Sequence, residues 1–169
     1  THAHGIRVAR MPAAPSIGDR FMLLADAENR FQEKLVATAV SEAIWWWSEI
    51  GAAMATVFAS TQERFVPQMI NLEVLGGVSF KKGCYPGQEI VARSQYLGKL
   101  KRRMRPGHAD VRPPAAGADV YHSSAAAAVG TVVMAAAAPG GGTDLLFELP
   151  VEALQSGELH LGSKDGARI

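Results

Sequence analysis

Cysteine is almost absent from this sequence. Cys84 is the only one among 169 residues, which excludes an intrachain disulfide framework and is typical of a reducing, cytoplasmic compartment. A single cysteine with scattered histidines also gives no zinc-ligand spacing, so the sequence predicts no metal site.

Long apolar runs and a large net charge are absent as well. The longest weakly apolar stretch, Ala125–Ala138, is broken by glycine and falls short of the roughly 20 strongly apolar residues that cross a bilayer. No basic and apolar signal segment follows Thr1. The net charge of +1 favours neither nucleic acid nor a membrane surface as a partner. We therefore expect an ordinary globular, cytoplasmic protein with no membrane partner.

The positive charge is distributed unevenly. Eight of the 17 lysines and arginines lie between Lys81 and Arg105, where Glu89 is the only acid, so we expect a local positive field. The basic residues 99–105 lack the interleaved aromatic side chains of single-strand binders. Direct contact with nucleic acid is therefore not expected, whereas carboxylates such as those of a polyglutamate tail would pair well with this segment.

The N-terminal part predicts strands followed by helices. Alternating apolar residues predict two strands within Gly5–Leu24, joined by a proline-rich connection. Helical spacing predicts one helix over 27–40, with Asp26 as its N-cap, and a second over Glu42–Ile50, which Ser41 begins and Gly51 closes. After an irregular stretch over 52–77, a third helix is expected from Gln88 to about Tyr96.

The remainder predicts a small sheet. Short strands at 10–15-residue spacing are typical of a small antiparallel sheet or barrel; they are expected at 100–104, 119–122, 129–134, 145–149 and 159–161. Pro106-Gly107 is expected to end the first of these strands. The change in character places a domain boundary near residues 104–108.

The surroundings of Cys84 leave two interpretations open. Lys81 and Lys82 precede it, and Pro86-Gly87 leads into a predicted helix start, where free amide groups and ammonium groups activate a thiol. A lone cysteine is more commonly a small buried side chain that packs in the core. No base that would serve a cysteine hydrolase can be identified from the sequence.

The segment around Cys84 strongly resembles the YgfZ family, which is related to the glycine-cleavage aminomethyltransferase. The family signature Lys-Gly-Cys-Tyr-x-Gly-Gln-Glu is matched at every fixed position by residues 82–89, and the segments 67–72 and 96–103 agree in order and spacing. The resemblance implies an α+β fold: the second subdomain of an aminomethyltransferase-like folate-binding fold over 1–104, then a small antiparallel β-barrel over 105–169. It also implies that the chain corresponds to the C-terminal half of the family's proteins, and that their N-terminal partner subdomain is not part of this sequence.

The resemblance also implies a function. We expect an accessory protein that binds tetrahydrofolate, or a one-carbon derivative of it, and supports iron–sulfur cluster assembly or repair and tRNA modification. Its partners would be folate and iron–sulfur client proteins, and Cys84 would be the functional thiol. By ungapped spacing from Cys84, Trp45 is the residue expected to stack on the folate ring. Further cofactor-binding residues are expected within and just after the signature: Lys82, Tyr85, Gln88, Glu89 and Arg93.

Two alternatives to this interpretation remain open. One is an aminomethyltransferase that passes a one-carbon unit to tetrahydrofolate, although an accessory factor is favoured over a catalyst. The other is that the signature only holds a tight corner, for which Gly83 and Gly87 are needed. The sequence also departs from the family pattern Ile-x-Ala-Gly-x-Pro, because residues 50–55 read Ile-Gly-Ala-Ala-Met-Ala. They lack the glycine at the fourth position of the pattern and the proline at its end.

Overall fold

The computed structural model describes residues 2–3, 5–15, 17–26, 36–98 and 100–169. The strands and helices are, in chain order, β1 (His2–Ala3), β2 (Ile6–Ala14), β3 (Gly18–Ala25), α1 (Glu42–Gly51), α2 (Gln88–Tyr96), β4 (Arg102–Ala109), β5 (Asp119–His122), β6 (Ala128–Ala137), β7 (Thr143–Pro150) and β8 (Leu159–Leu161). Neither of these helices has the length and apolar character needed to cross a membrane. The predicted α+β class is confirmed.

The first sheet is an antiparallel arrangement in the order β1-β2-β3. It confirms the two strands expected near the N-terminus, but Pro12 lies within β2, at a shift in the register with β3, and not in the connection between the strands. The turn between them is closed by the Ile17 N–H, which donates to the Ala14 carbonyl at 2.9 Å. On β3, large apolar side chains such as Phe21 and Leu24 are exposed, whereas Arg20 is buried. The helix expected over 27–40 falls mostly on residues outside the described ranges, and the described residues 36–40 are not helical.

The second sheet is antiparallel, has the order β4-β7-β6-β5-β8 and is curled like half a barrel. Its central strands are buried on both faces, because one apolar cluster, which includes Ile50 and Leu146, covers one side and another, which includes Leu145 and Leu161, covers the other. Burial on both faces explains why β6 and β7 read as nearly continuous apolar runs rather than as alternating ones. The predicted small antiparallel sheet is therefore confirmed.

The first strand of this sheet corrects a prediction from the sequence. Pro106-Gly107 does not interrupt it, since β4 continues through both residues to Ala109 and pairs with β7 along its whole length. The strand lies at the edge of the sheet, where a proline need not donate a hydrogen bond to a second neighbour. A side chain at Gly107 would collide with Phe147 and Ile169, so the glycine allows close packing. The domain boundary near 104–108 stays a prediction, and β4 runs across it.

Helix α1 lies against β6 and β7, and its end has a recognisable backbone motif. Its predicted range is confirmed, and Ser41 is the N-cap, although its side chain makes no capping hydrogen bond. At the other end, the Met54 N–H donates to the Glu49 carbonyl and the Ala53 N–H to the Ile50 carbonyl, both at 2.9 Å. These two bonds form a Schellman motif.

The residue that closes α1 is Ala53 and not Gly51. Ala53 has a φ of +53°, the left-handed conformation that glycine adopts without strain and that other L-residues adopt at a cost. Ala53 occupies the position of the glycine in the family pattern Ile-x-Ala-Gly-x-Pro. The backbone shape of the turn is therefore compatible with the family's, although the residue that favours it has been replaced.

We predict that Ala53→Gly stabilises the protein. Relief of the left-handed strain is about 1–2 kcal/mol, and the greater flexibility of glycine in the unfolded chain offsets about 0.4–1 kcal/mol of it. Urea denaturation should therefore show a rise of up to about 1.6 kcal/mol in the free energy of unfolding. The matched control is Ala52→Gly, because Ala52 has a φ of −86° and should lose stability. A loss of stability in both variants would contradict the prediction.

Candidate functional site

The signature segment forms a tight corner that leads into α2. Gly87 precedes the helix with a φ of +81°, in the left-handed region. The Tyr85 backbone N–H donates to the Gln88 side-chain oxygen at 3.3 Å, and the Gln88 N–H donates back to the Tyr85 carbonyl at 3.2 Å. Gln88, predicted to bind the cofactor, therefore has a structural role as well, since its side chain holds the corner closed.

Cys84 lies on the outside of this corner and is exposed. It does not occupy the buried position of a cysteine that packs in a core. Two residues before it, the Lys82 ammonium lies 4.8 Å from the centre of the Tyr85 ring, a cation–π contact that links the two ends of the loop around the thiol. The arrangement presents a thiol to solvent on a loop whose shape is fixed by its own residues.

One buried side chain attaches α2 to the rest of the protein. Gln68 is 0% exposed, and its side-chain amide donates to the Val91 carbonyl of α2 at 2.7 Å. On the outer side of the helix, Arg93 pairs with Glu89 at 3.3 Å, but both side chains are exposed, and such a pair contributes little stability. Glu89 and Arg93, both predicted to bind the cofactor, are thus accessible and contact each other.

Two of the four basic residues within 101–105 form ion pairs inside the protein. Arg102 forms a two-point contact with the buried carboxylate of Glu148, and Arg103 pairs with Glu73. The exposed side chains of Lys101 and Arg105 remain accessible to an external anion.

The three consecutive tryptophans of α1 point in different directions, as their spacing on a helix predicts. The Trp46 ring N–H donates to Glu42 at 3.0 Å, and the ring packs 5.8 Å from that of Phe58. The Trp47 ring N–H donates to Asp144 of β7 at 2.6 Å. Trp46 and Trp47 are therefore structural residues that fix α1 to its neighbours.

Trp45 has a different neighbour. The guanidinium carbon of Arg20, on β3, lies 5.2 Å from the centre of the Trp45 ring, and Trp45 itself is half-buried. Across the described part of the chain, no hydrogen bond or ring contact joins Trp45 to the signature segment. The predicted site residues thus form two groups: Trp45 on α1, and residues 82–93 on the corner and α2.

Two residues that contact these groups, Arg20 and Gln68, were not identified from the sequence as functional. Arg20 is the main one, since an arginine inside a run of apolar strand residues carries no signal that it points inward. Gln68 was noticed only as part of the matched segment and was given no role. Neither could be found from sequence, because each acts through a partner that is more than 20 residues away.

A polar cluster lies where α1 meets the edge of the second sheet. Asp144 accepts from Trp47 through one oxygen and contacts His108 Nδ1 through the other at 2.7 Å, while Asp110 lies 3.4 Å from Nε2. The hydrogen bond with Asp144 raises the pKa of His108, and Asp110 adds to the effect. Cavities of about 390 and 380 Å³ adjoin the cluster.

The described geometry is that of an α+β protein that presents one exposed thiol on a preformed corner. No protein-family model matches the chain. Among curated proteins, the chain is 43% identical over 103 residues to the "tRNA-modifying protein YgfZ" of Colwellia psychrerythraea, a match covering 60% of this chain and 32% of that protein. The protein of the same name from Vibrio atlanticus is 41% identical over 103 residues, covering 59% and 32%. That from Aliivibrio fischeri is 37% identical over 119 residues, covering 67% and 37%.

These matches support membership of the YgfZ family, as a partial match to its C-terminal half. It spans about a third of the length of the curated relatives that it matches. The resemblance inferred from the signature at residues 82–89 is thereby confirmed.

We predict that the His108–Asp144 pair stabilises the protein more when His108 is protonated than when it is neutral. Because the folded-state pKa is raised, its contribution is fully present below the unfolded value of about 6.5 and is lost as the pH rises through the folded value. The free energy of unfolding of the wild type minus that of His108→Gln should therefore shrink as the pH rises from about 6.5 through the raised folded-state pKa of His108. The control is the same comparison with Asp144→Asn present in both proteins, where the pH dependence should be much smaller. Equal pH dependence in the two backgrounds would contradict the assignment.

Proposed function

We propose that this chain is part of an accessory protein of tRNA modification that binds tetrahydrofolate and supports iron–sulfur enzymes, with Cys84 as its functional thiol. The observation that carries the proposal is the exposure of Cys84 on a corner held by its own signature residues. The curated relatives, which carry the name tRNA-modifying protein, support the association with tRNA modification.

The chemistry of one thiol limits what Cys84 can do. Protein-bound iron–sulfur clusters are held by several ligands, usually four cysteines, and the sequence has one. We therefore propose that the cluster belongs to the client enzyme, and that Cys84 meets the client or its cluster at the surface. The corner suits this task because Gly87, the Tyr85–Gln88 hydrogen bonds and the Lys82–Tyr85 contact fix the loop in advance.

The proposed folate contacts are divided between α1 and the signature segment. Trp45 offers an aromatic ring for a flat heterocycle, and the exposed cations of Lys82 and Arg93 can pair with the carboxylates of the glutamate tail. Tyr85 and Gln88 hold the corner, and Glu89 sets the position of Arg93 through their ion pair. When bound, tetrahydrofolate supplies a carrier for one-carbon units.

Folate binding and the role of Cys84 are best tested on a protein that also contains the part of the relatives that this chain does not match. A suitable protein is a fusion in which this chain replaces the C-terminal part of the Colwellia psychrerythraea relative. We call it the fusion protein.

We predict that Trp45→Leu weakens the binding of tetrahydrofolate to the fusion protein. Loss of one stacking contact is worth about 1–3 kcal/mol, so calorimetric titration should show a dissociation constant raised about fivefold or more. The matched control is Trp46→Phe, which keeps an aromatic ring against Phe58 and should leave the dissociation constant nearly unchanged. Equal affinities for the wild type and Trp45→Leu would remove Trp45 from the site, and no binding by the wild type would remove folate from the proposal.

We predict that Cys84→Ala abolishes function while leaving the fold intact. The fusion protein should restore thiolated tRNA nucleosides, measured by mass spectrometry, in a bacterial strain that lacks its own family member. Cys84→Ala should lower their level to that of the empty vector at an unchanged amount of protein. Ser79→Ala, at another exposed position of the same loop, is the control and should restore them. Full restoration by Cys84→Ala would show that the thiol is dispensable.

A further inference from the structure

A buried arginine lies against the ring that is proposed to receive folate. The side chain of Arg20 is 4% exposed, and its guanidinium contacts the Glu49 carboxylate and the Ser48 carbonyl, both on α1. The sulfur of Met54 lies 3.8 Å from the same guanidinium. These contacts fix the orientation of the charged group beside the Trp45 ring.

The position of this group limits how Trp45 can bind a ligand. An indole ring has two faces, and the Arg20 guanidinium lies over the ring, 5.2 Å from its centre. At most one face of Trp45 therefore remains for a ligand ring, which would complete a stack of guanidinium, indole and ligand. A second aromatic ring could cover the other side of the ligand, but Trp45 itself can accept only one layer.

The charge of Arg20 also changes what the free face attracts. An indole face is normally negative and attracts cations. A cation fixed on one face draws electron density toward itself, and its positive field extends through the ring, because the buried guanidinium is poorly screened by water. Glu49, whose carboxylate contacts the guanidinium, offsets part of that field. The free face should therefore bind neutral or anionic rings better than cationic ones.

We propose that Arg20 is a specificity-determining residue of the Trp45 site, which selects uncharged folates over cationic ones. This inference rests on the proposed function and refines it. Among one-carbon derivatives, 5-formyltetrahydrofolate has an uncharged ring system, whereas 5,10-methenyltetrahydrofolate carries a delocalised positive charge on its bridged ring. The two differ little in size, so the comparison isolates the effect of charge.

The alternative is that Arg20 is only a structural link between β3 and α1. A structural link would change the stability of the protein and the affinity for every ligand alike. It would not change the ratio of the affinities for the neutral and the cationic compound. That ratio is therefore the measurement that separates the two roles.

The experiment follows the Trp45 ring N–H by NMR during titration of the fusion protein, with its resonance assigned by comparison with Trp45→Phe. The ligands are 5-formyl- and 5,10-methenyltetrahydrofolate, the latter in a mildly acidic buffer in which it persists. A second pair, nicotinamide and 1-methylnicotinamide, tests the ring for charge selection without a folate. The variants are Arg20→Lys, which keeps the charge, and Arg20→Met combined with Glu49→Gln, which removes both charges of the buried pair and so leaves none unpaired.

The wild type and Arg20→Lys should prefer the neutral member of each pair, and the double variant should reduce that preference by about threefold to tenfold. An unchanged preference in the double variant would overturn the inference while leaving folate binding in place. If neither folate shifts the Trp45 signal but the nicotinamide pair shows the expected loss, folate binding at Trp45 fails and the role of Arg20 stands. If 5,10-methenyltetrahydrofolate binds the wild type more tightly than the neutral compound, the inference is wrong.

Discussion

The buried ion pair between Arg20 and Glu49 is the interaction on which the arrangement of the described chain depends. It joins β3 of the first sheet to α1, and both side chains are almost wholly removed from solvent. A buried charge is tolerated only with a partner, and removing one member of such a pair costs about 3–5 kcal/mol. The pair therefore specifies how the sheet and the helix meet more than it adds to stability. It also places a cation on Trp45, so the same contact that joins two elements determines the properties of a candidate binding residue.

Helix α1 is the element through which the parts of the chain are connected. Trp45 contacts Arg20 of the first sheet, Trp47 donates to Asp144 of the second, and Ile50 packs in the apolar cluster with Leu146. Because consecutive residues on a helix project about 100° apart, three adjacent tryptophans reach three different environments. The proposed ligand residue is thus fixed by its neighbours along the helix, which are anchored on the sheet. The signature corner is attached separately, through Gln68 and α2, and contributes an exposed thiol.

Local patterns in the sequence predicted much of the fold. The range of α2 and those of β5 and β8 were predicted to the residue, because Gly87, Gly98 and flanking turn residues mark the ends. The course of β4 through Pro106 was not predicted, since a proline interrupts a central strand but not an edge, and the sequence does not say which strand lies at an edge. The left-handed Ala53 was missed for a related reason. An alanine in the sequence does not predict a positive φ. The conformation follows from the two hydrogen bonds that the turn makes back to α1.

For the candidate site, the sequence by itself determined the family, the single cysteine and the corner, because the signature at residues 82–89 is contiguous and its glycine and glutamine act on near neighbours. Only the tertiary structure decided that Cys84 is exposed, that Trp46 and Trp47 are occupied by structural partners, and that Arg20 lies over Trp45. Each of these depends on contacts between residues distant in the chain, such as Trp47 with Asp144, or on the packing around them. Such contacts follow from how the sheets and α1 pack together, and no local pattern encodes them.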